Sequence, residues 1–151
     1  MDLNVVLDDT VSLVRHQLDL AGVVVEINLE ESLPSVKGNI GKLQQVFLNL
    51  VLNARDAMAK GGRLRIRSWS DGACAQVEIA DTGMGISSDH LPRIYDPFFT
   101  TKVARKGTGL GLSVTYGIVQ EHRGLIEVRS EPGAGTLFHL EFPLSRNPVN
   151  A

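Results

Sequence analysis

Two asparagines spaced by four residues, Asn49 and Asn53, have the side chains and the spacing to face a hydrated cation. They lie in a stretch whose apolar residues recur at helical spacing, so residues four apart share one edge of its apolar face. Mg²⁺ prefers oxygen ligands and often keeps several waters beside phosphate oxygens, so neutral amides are adequate ligands. The alternative is that these amides only satisfy neighbouring backbone groups, because a buried unpaired amide costs about 1–3 kcal/mol.

A second candidate element follows a predicted strand, where Asp81 is succeeded by Gly83, Gly85 and Ile86. Glycines spaced by one residue allow a close approach of the backbone to a flat ligand. An aspartate at a strand end can accept a hydrogen bond from an exocyclic amine, which would select adenine over guanine. The alternative is a tight turn without a ligand.

A third element combines glycines before a predicted helix with upstream hydroxyls and a cation. Free N–H groups and the positive dipole end make such a helix start an anion site. A segment with Lys102, Arg105 and Lys106 can close over a triphosphate as a lid, anchored by Phe98 and Phe99. The alternative is a surface loop with solvated charges. The residues in question are Thr100, Thr101, Lys102, Gly107, Thr108, Gly109, Leu110, Gly111 and Leu112.

The elements that must position these residues alternate between helical and strand patterns. Helices are predicted at about 5–20, 40–59 and 110–122, with a short one near 88–94, and strands at 23–29, 63–70, 76–80, 125–130 and 136–142. At least two strand pairs read as antiparallel hairpins. The pattern therefore predicts an α/β (α+β) two-layer sandwich, with a mixed, largely antiparallel sheet of about five strands and about three helices on one face.

Composition narrows the class of protein. The 151 residues carry a net charge of −2, which argues against a nucleic-acid binder, and the single cysteine, Cys74, fits a reducing cytoplasm. No apolar run is long enough to span a bilayer, and the N-terminus does not read as a signal peptide, so we expect no membrane contact by this domain, although a parent protein can be membrane-anchored. We expect one domain over 1–144, a polar tail over 145–151, and a monomer in isolation.

In order and spacing, these motifs resemble the N, G1, F and G2 boxes of histidine kinase catalytic domains. The stretch from Asn49 to Met58 looks most like the nitrogen-regulation and oxygen-sensing subgroup. The resemblance implies the ATP-binding fold shared with gyrase, the MutL mismatch-repair proteins and a heat-shock chaperone, with ATP and Mg²⁺ as cofactors. It implies a dimerisation domain carrying the acceptor histidine as partner and a response regulator downstream.

The resemblance also implies a role for individual residues. Asn53 would be the Mg²⁺ ligand, Asn49 would assist at the phosphates, and Asp81 would bind the adenine amine. Gly85 would back the base, and Thr136 would contact the adenine side through water. Lys102 and the amides of Gly109 to Leu112 would hold phosphates. Nucleotide contacts are further expected from Asp56, Gly83, Ile86, Thr100, Thr101, Gly107 and Thr108.

Two departures from the family pattern stand out: Arg105 replaces a frequent lid glycine, and Ala57 replaces a frequent aromatic residue. No histidine of this chain lies in a His-(Glu/Asp)-x-x-x-Pro segment, so we expect the chain to be a fragment whose acceptor domain precedes Met1. An amide at Asn49, where gyrase-like relatives have a glutamate, cannot take a proton from water, so hydrolysis should be slow. A non-catalytic nucleotide sensor and a gyrase-like ATPase remain the alternatives.

Overall fold

The computed structural model describes residues 1–95 and 111–145, which form three helices packed on one five-stranded sheet. In chain order the elements are α1 (Leu3–Leu20), β1 (Val23–Leu29), α2 (Ile40–Ala57), β2 (Gly62–Ser70), β3 (Cys74–Asp81), a 3₁₀ turn (Leu91–Arg93), α3 (Gly111–Glu121), β4 (Leu125–Glu131) and β5 (Gly135–Pro143). The predicted two-layer sandwich is confirmed. The short helix predicted near 88–94 is reduced to its 3₁₀ turn, and α2 ends two residues before the predicted boundary.

The sheet has the strand order β1-β2-β3-β5-β4. β1 and β2 are parallel because α2 carries the chain back across the sheet between them, whereas the other pairs are antiparallel. In this register Asp81 at the end of β3 lies between Leu64 of β2 and Thr136 of β5. Two predicted site residues from distant parts of the chain are therefore direct neighbours.

Side-chain caps start the first two helices; the cap at Asn39 was predicted, whereas α1 begins at Leu3, two residues before its predicted start. The Asn4 N–H donates to the Asp2 carboxylate at 2.9 Å, and the Lys42 N–H donates to the Asn39 side-chain oxygen at 2.9 Å. A cap of this kind satisfies one of the N–H groups that a helix start leaves without a partner, and it contributes about 1 kcal/mol. The Asn39 cap thereby fixes the start of the helix that carries both candidate asparagines.

The core lies between the helices and the inner face of the sheet. Phe47 of α2 meets Phe142 of β5 edge to face, with ring centroids 6.4 Å apart, and neither side chain is exposed. Leu64 and Ile66 of β2 point to the same layer. This packing holds α2 across the middle of the sheet, so its polar edge has a fixed position relative to the strand ends.

The outer face of the sheet carries polar and aromatic side chains. Trp69 stacks on His139 at 5.9 Å between ring centroids with 4° between the planes, and the Arg67 guanidinium lies 4.9 Å from the Trp69 ring centroid. Arg67 also pairs with Glu78 at 2.9 Å. None of the described helices has the length and apolar composition needed to cross a bilayer.

Candidate functional site

The described site residues lie along one side of the layer between α2 and the sheet. Asn49 and Asn53 are half-buried on α2, and Thr136 is buried at the start of β5. The 81–86 loop, which contains the half-buried Asp81, follows β3, and Gly111 begins α3. Seven other predicted site residues lie outside the described residues, as do the lid residues Phe98, Phe99, Arg105 and Lys106; they are Thr100, Thr101, Lys102, Gly107, Thr108, Gly109 and Leu110.

The 81–86 loop is packed against the end of α2. The Met84 N–H donates to the carbonyl oxygen of Ala57 at 3.0 Å. A Cβ added at Gly83 would lie 2.5 Å from that same carbonyl oxygen and 2.8 Å from the Ala57 Cβ. Position 83 therefore has no room for a side chain, and a small residue at position 57 lets the loop reach the helix.

The same loop is packed on its other side against the turn between β4 and β5. Gly85 has φ +75°, and a Cβ there would collide with the carbonyl group of Glu131. The Gly133 N–H donates to the Met84 carbonyl oxygen at 2.7 Å. Gly83 and Gly85 were predicted to let the backbone approach a ligand; in the structure each makes a close approach to protein backbone.

Asp81 has one carboxylate oxygen held by the protein. Its Oδ1 accepts hydrogen bonds from the Gly83 N–H at 2.8 Å and from the Thr136 N–H at 3.3 Å. Burial raises the pKa of Asp81 above its ordinary value, and the two N–H donors partly oppose that rise. Both bonds fall on Oδ1, so within residues 1–95 and 111–145 the Oδ2 atom is left as an acceptor.

A serine that the sequence analysis did not single out connects the loop with β5. The Ile86 N–H donates to Ser130 Oγ at 2.7 Å, and Ser130 Oγ lies 2.8 Å from Thr136 Oγ1. Ser130 Oγ also donates to the Gly135 carbonyl oxygen at 3.0 Å. The predicted hairpin around 132–135 was the available signal, because it sets Ser130 opposite Thr136.

At the other end of the site, α2 is joined to the start of α3. The Asn49 side-chain nitrogen donates to the Gly111 carbonyl oxygen at 3.2 Å and to Thr115 Oγ1 at 3.3 Å. Asn53 lies one helical turn further along the same edge of α2. Thr115 is fully buried and was not among the predicted site residues.

Asp56, predicted to contact the nucleotide, is engaged by its neighbour in the chain. The Arg55 guanidinium pairs with Asp56 Oδ1 at 2.9 Å and also donates to the Gln17 side chain of α1 at 2.7 Å. Across residues 1–95 and 111–145, no three His, Cys, Asp or Glu side chains are grouped so that they could hold a metal ion.

Tyr95 is the last described residue before segment 96–110, and its environment was not predicted from the sequence. Its hydroxyl is buried without a hydrogen-bond partner among the described residues, and burial raises its pKa to about 12. Its ring lies 5.0 Å from the ring of Tyr116 on α3. The chain entering segment 96–110 is thus packed against the helix that leaves it.

Residues 38–146 match the family model described as histidine kinase-, DNA gyrase B- and HSP90-like ATPases. The chain belongs to this family. Its relatives within the family include Sporulation kinase E of Bacillus subtilis, 37% identical over 94% of this chain and 19% of that protein. The sensor histidine kinase ZraS of Escherichia coli is 35% identical over 96% of this chain and 31% of that protein. The chain thus spans about a fifth to a third of the length of these relatives.

Solved structures of histidine kinases share the fold. The catalytic domain of ThkA superposes with a TM-score of 0.84 at 28% identity, covering 95% of each chain. Full-length ShkA in complex with AMPPNP gives 0.84 at 26% identity, over 98% of this chain and 32% of that one. The chain is therefore a catalytic, ATP-binding domain of the sensor histidine kinase type. The narrower likeness to the nitrogen-regulation and oxygen-sensing subgroup stays a prediction.

Proposed function

We propose that this domain binds Mg-ATP and transfers its γ-phosphoryl group to a histidine on a separate dimerisation domain. The proposal rests on two groups of residues that lie on one side of α2, one at each end of the candidate site. The adenine end comprises Asp81, Gly85 and Thr136; the phosphate end comprises Asn49, Asn53 and the start of α3 at Gly111. A nucleotide laid along this side of α2 would meet both ends.

At the adenine end, recognition would depend on the free oxygen of Asp81. Its Oδ1 is already occupied by two main-chain N–H groups, so Oδ2 would accept the hydrogen bond from the exocyclic amine of adenine. Guanine has a carbonyl oxygen at the corresponding position, and a carboxylate repels it. The Thr136 hydroxyl, held by Ser130, would contact the base through water.

The phosphate end suits a magnesium ion by the chemistry of its donors. The side-chain nitrogen of Asn49 donates to acceptors on α3, which leaves its amide oxygen for the site. Asn53 lies on the same edge of α2. We propose that Asn53 is the direct ligand. The ion would reduce the negative charge of the phosphates, and amide oxygens can share it with water and phosphate oxygens.

The proposed chemistry relies on positioning rather than on a protein base. Asn49 is neutral and cannot accept a proton from water at physiological pH, so water activation has no evident agent at this position. Phosphoryl transfer needs alignment and charge stabilisation more than covalent help, and the N-terminus of α3 presents N–H groups and a positive dipole to anions. We propose that Lys102 and the amides of Gly109 to Leu112 also hold phosphates.

The acceptor is proposed to be supplied by another domain, because no histidine of this chain lies in a His-(Glu/Asp)-x-x-x-Pro segment. His122 accepts a hydrogen bond from the Asn39 N–H at 3.0 Å, and His139 is stacked on Trp69. ThkA has been solved in complex with the response regulator TrrA, at a TM-score of 0.80 and 25% identity to this chain. We propose an equivalent downstream partner here and, because the reaction uses ATP, a cytoplasmic location.

The test uses γ-labelled ATP with the domain alone, with a cognate dimerisation domain, and with that domain after its acceptor histidine is changed to alanine. We expect no label on this chain, label on the intact acceptor domain, and none on the altered one. Strong self-labelling would overturn the proposal. Tight ATP binding without transfer would favour a nucleotide sensor, and rapid phosphate release without acceptor would favour a gyrase-like ATPase.

A further inference from the structure

The proposed function assigns no role to Thr115 of α3. Its side chain is fully buried, and its Oγ1 lies 3.3 Å from the Asn49 side-chain nitrogen. The Gly111 carbonyl oxygen, one helical turn earlier on α3, lies 3.2 Å from the same nitrogen. Two acceptors on one helix therefore lie within hydrogen-bond distance of a single amide nitrogen.

The two acceptors constrain the amide in different ways. The Gly111 carbonyl oxygen can only accept, so it repels the amide oxygen and decides which end of the Asn49 amide faces α3. A single acceptor leaves the amide plane free to turn, because the terminal torsion of asparagine is broad. Thr115 supplies the second point and fixes that plane. The Asn49 oxygen is then directed away from α3.

We propose that Thr115 is a positioning residue, which acts through Asn49 by presenting its amide oxygen rather than its nitrogen to the metal–phosphate end of the site. The proposal rests on the proposed function and deepens it. An oxygen presented in this way can bind a cation or a cation-bound water, and it cannot donate to a phosphate oxygen. Asn49 would thus act on the metal side of the nucleotide rather than as a phosphate donor.

The discriminating variants are Thr115→Val, which keeps the shape and removes the acceptor, and Thr115→Ser, which keeps the hydroxyl. ATP affinity is measured by calorimetry with Mg²⁺ and with a chelator. Thr115→Val should lower affinity in Mg²⁺ by about 3- to 10-fold, the size expected for one neutral hydrogen bond. Affinity without metal should stay unchanged, and Thr115→Ser should behave as the wild type.

A double-mutant cycle with Asn49→Ala separates positioning from packing. If Thr115 acts through Asn49, Thr115→Val should have no further effect on metal-dependent affinity once Asn49→Ala is present. A structural role would instead give additive losses and lower metal-free affinity equally. Should Thr115→Val not fold, Thr115→Ala removes the same acceptor without adding bulk and takes its place in the cycle.

The outcomes distinguish this inference from the proposed function. A wild-type domain without Mg-dependent ATP binding would overturn the proposed function itself. A wild-type domain that binds Mg-ATP while Thr115→Val retains the whole metal effect would overturn only the role of Thr115. Equal losses in Thr115→Ser and Thr115→Val would also overturn it, because the hydroxyl would then not be the group that matters.

Discussion

The adenine end includes direct contacts between main-chain groups, whereas the described contacts of the phosphate end are made by a side chain reaching between two helices. At the adenine end, Met84 bonds to Ala57 and Gly133 bonds to Met84, and the glycine at 85 lies against the backbone of Glu131. At the phosphate end, the amide of Asn49 alone supplies two of the contacts from α2 to α3.

This difference predicts which substitutions each end of the site tolerates. Main-chain contacts do not depend on which side chain is present, but they require that some positions have none. Side-chain contacts can be changed singly without disturbing the backbone. We therefore expect variants of the adenine-end glycines to affect folding, and variants of the phosphate-end amides to affect binding while folding is retained.

The largest effect is expected from Gly85→Ala. The substitution combines a left-handed backbone, φ +75°, with a collision between the new Cβ and the Glu131 carbonyl group. The loss in unfolding free energy should exceed about 3 kcal/mol. Gly133→Ala is the matched control, because Gly133 has φ +79° and nothing within 4 Å of the added Cβ. It should cost only about 1–2 kcal/mol, the strain of the left-handed conformation.

Chemical denaturation of both variants measures this contrast. Equal losses for the two alanines would mean that backbone strain alone explains the glycines. The close approach of the 81–86 loop to the β4–β5 turn would then not be what demands a glycine at 85.

Asp81→Asn should have the next largest effect, on binding rather than on folding. The free energy of ATP binding should become less favourable by about 1–3 kcal/mol, because a charge-assisted hydrogen bond to the adenine amine is lost. The free domain should not lose stability, since the asparagine oxygen can accept from Gly83 and Thr136 and no buried charge remains. Calorimetry measures the change in ATP affinity, and thermal melts measure the stability of the free domain. The exposed Asp19→Asn is the control for both. Unchanged affinity would remove Asp81 from the site.

The sign of the accompanying pH dependence follows from the pKa of Asp81, which burial raises above 3.8 in the folded domain. A folded state with the higher pKa binds the proton more tightly, so Asp81 favours folding most below its unfolded pKa. That contribution is lost as pH rises through the folded value. Melting temperatures of Asp81→Asn relative to wild type should therefore become more favourable with rising pH across that window.

Asn53→Ala should have a smaller effect, confined to metal-dependent binding. We expect affinity for ATP in Mg²⁺ to fall about tenfold, the lower end of what disturbing a metal site costs. Metal-free affinity should change little. Gln45→Ala, on the same helix two turns earlier, removes an exposed amide and should change neither affinity. A similar loss in chelator would argue that Asn53 does not act through the metal.

The smallest effect is expected from Glu121→Gln, at the far end of the α2–α3 pair. Glu121 pairs with Lys42 at 3.0 Å, and both side chains are about half exposed, 55% and 50%. Exposed pairs contribute at most about 1 kcal/mol, so unfolding should change by less than that and Mg-ATP affinity not at all. A clear loss of affinity in a titration would show that the phosphate end depends on the whole helix pair.

Much of the fold was predictable because it depends on local patterns. Asn39 caps α2 where expected, and the alternation in β2 placed Leu64 and Ile66 on the inner face. The 88–94 helix was overestimated, since only Leu91–Arg93 is helical and the surrounding residues are fixed by turns. Local periodicity does not report how a short segment is constrained by its neighbours.

The sequence supplies candidate residues for the site, but it does not predict the contacts between them. Asp81 and Thr136, to which the resemblance assigns adenine contacts, are neighbours in the sheet, but the hydrogen bond between Asn49 and Thr115 joins residues 66 positions apart. No local pattern encodes such a pair, and the packing reason for Gly83 depends equally on Ala57, which is remote in sequence. The predicted roles of Lys102 and the other lid residues stay predictions.

The stacked Trp69–His139 pair has a practical consequence for spectroscopy. Trp69 is the chain's single tryptophan and lies on the outer face of the sheet, whereas the side chains of Asp81 and Thr136 belong to the helix-covered face. Intrinsic fluorescence should therefore respond to the loss of sheet structure. It should be nearly silent when nucleotide enters, so an emission change on adding ATP would signal a rearrangement transmitted through the strands.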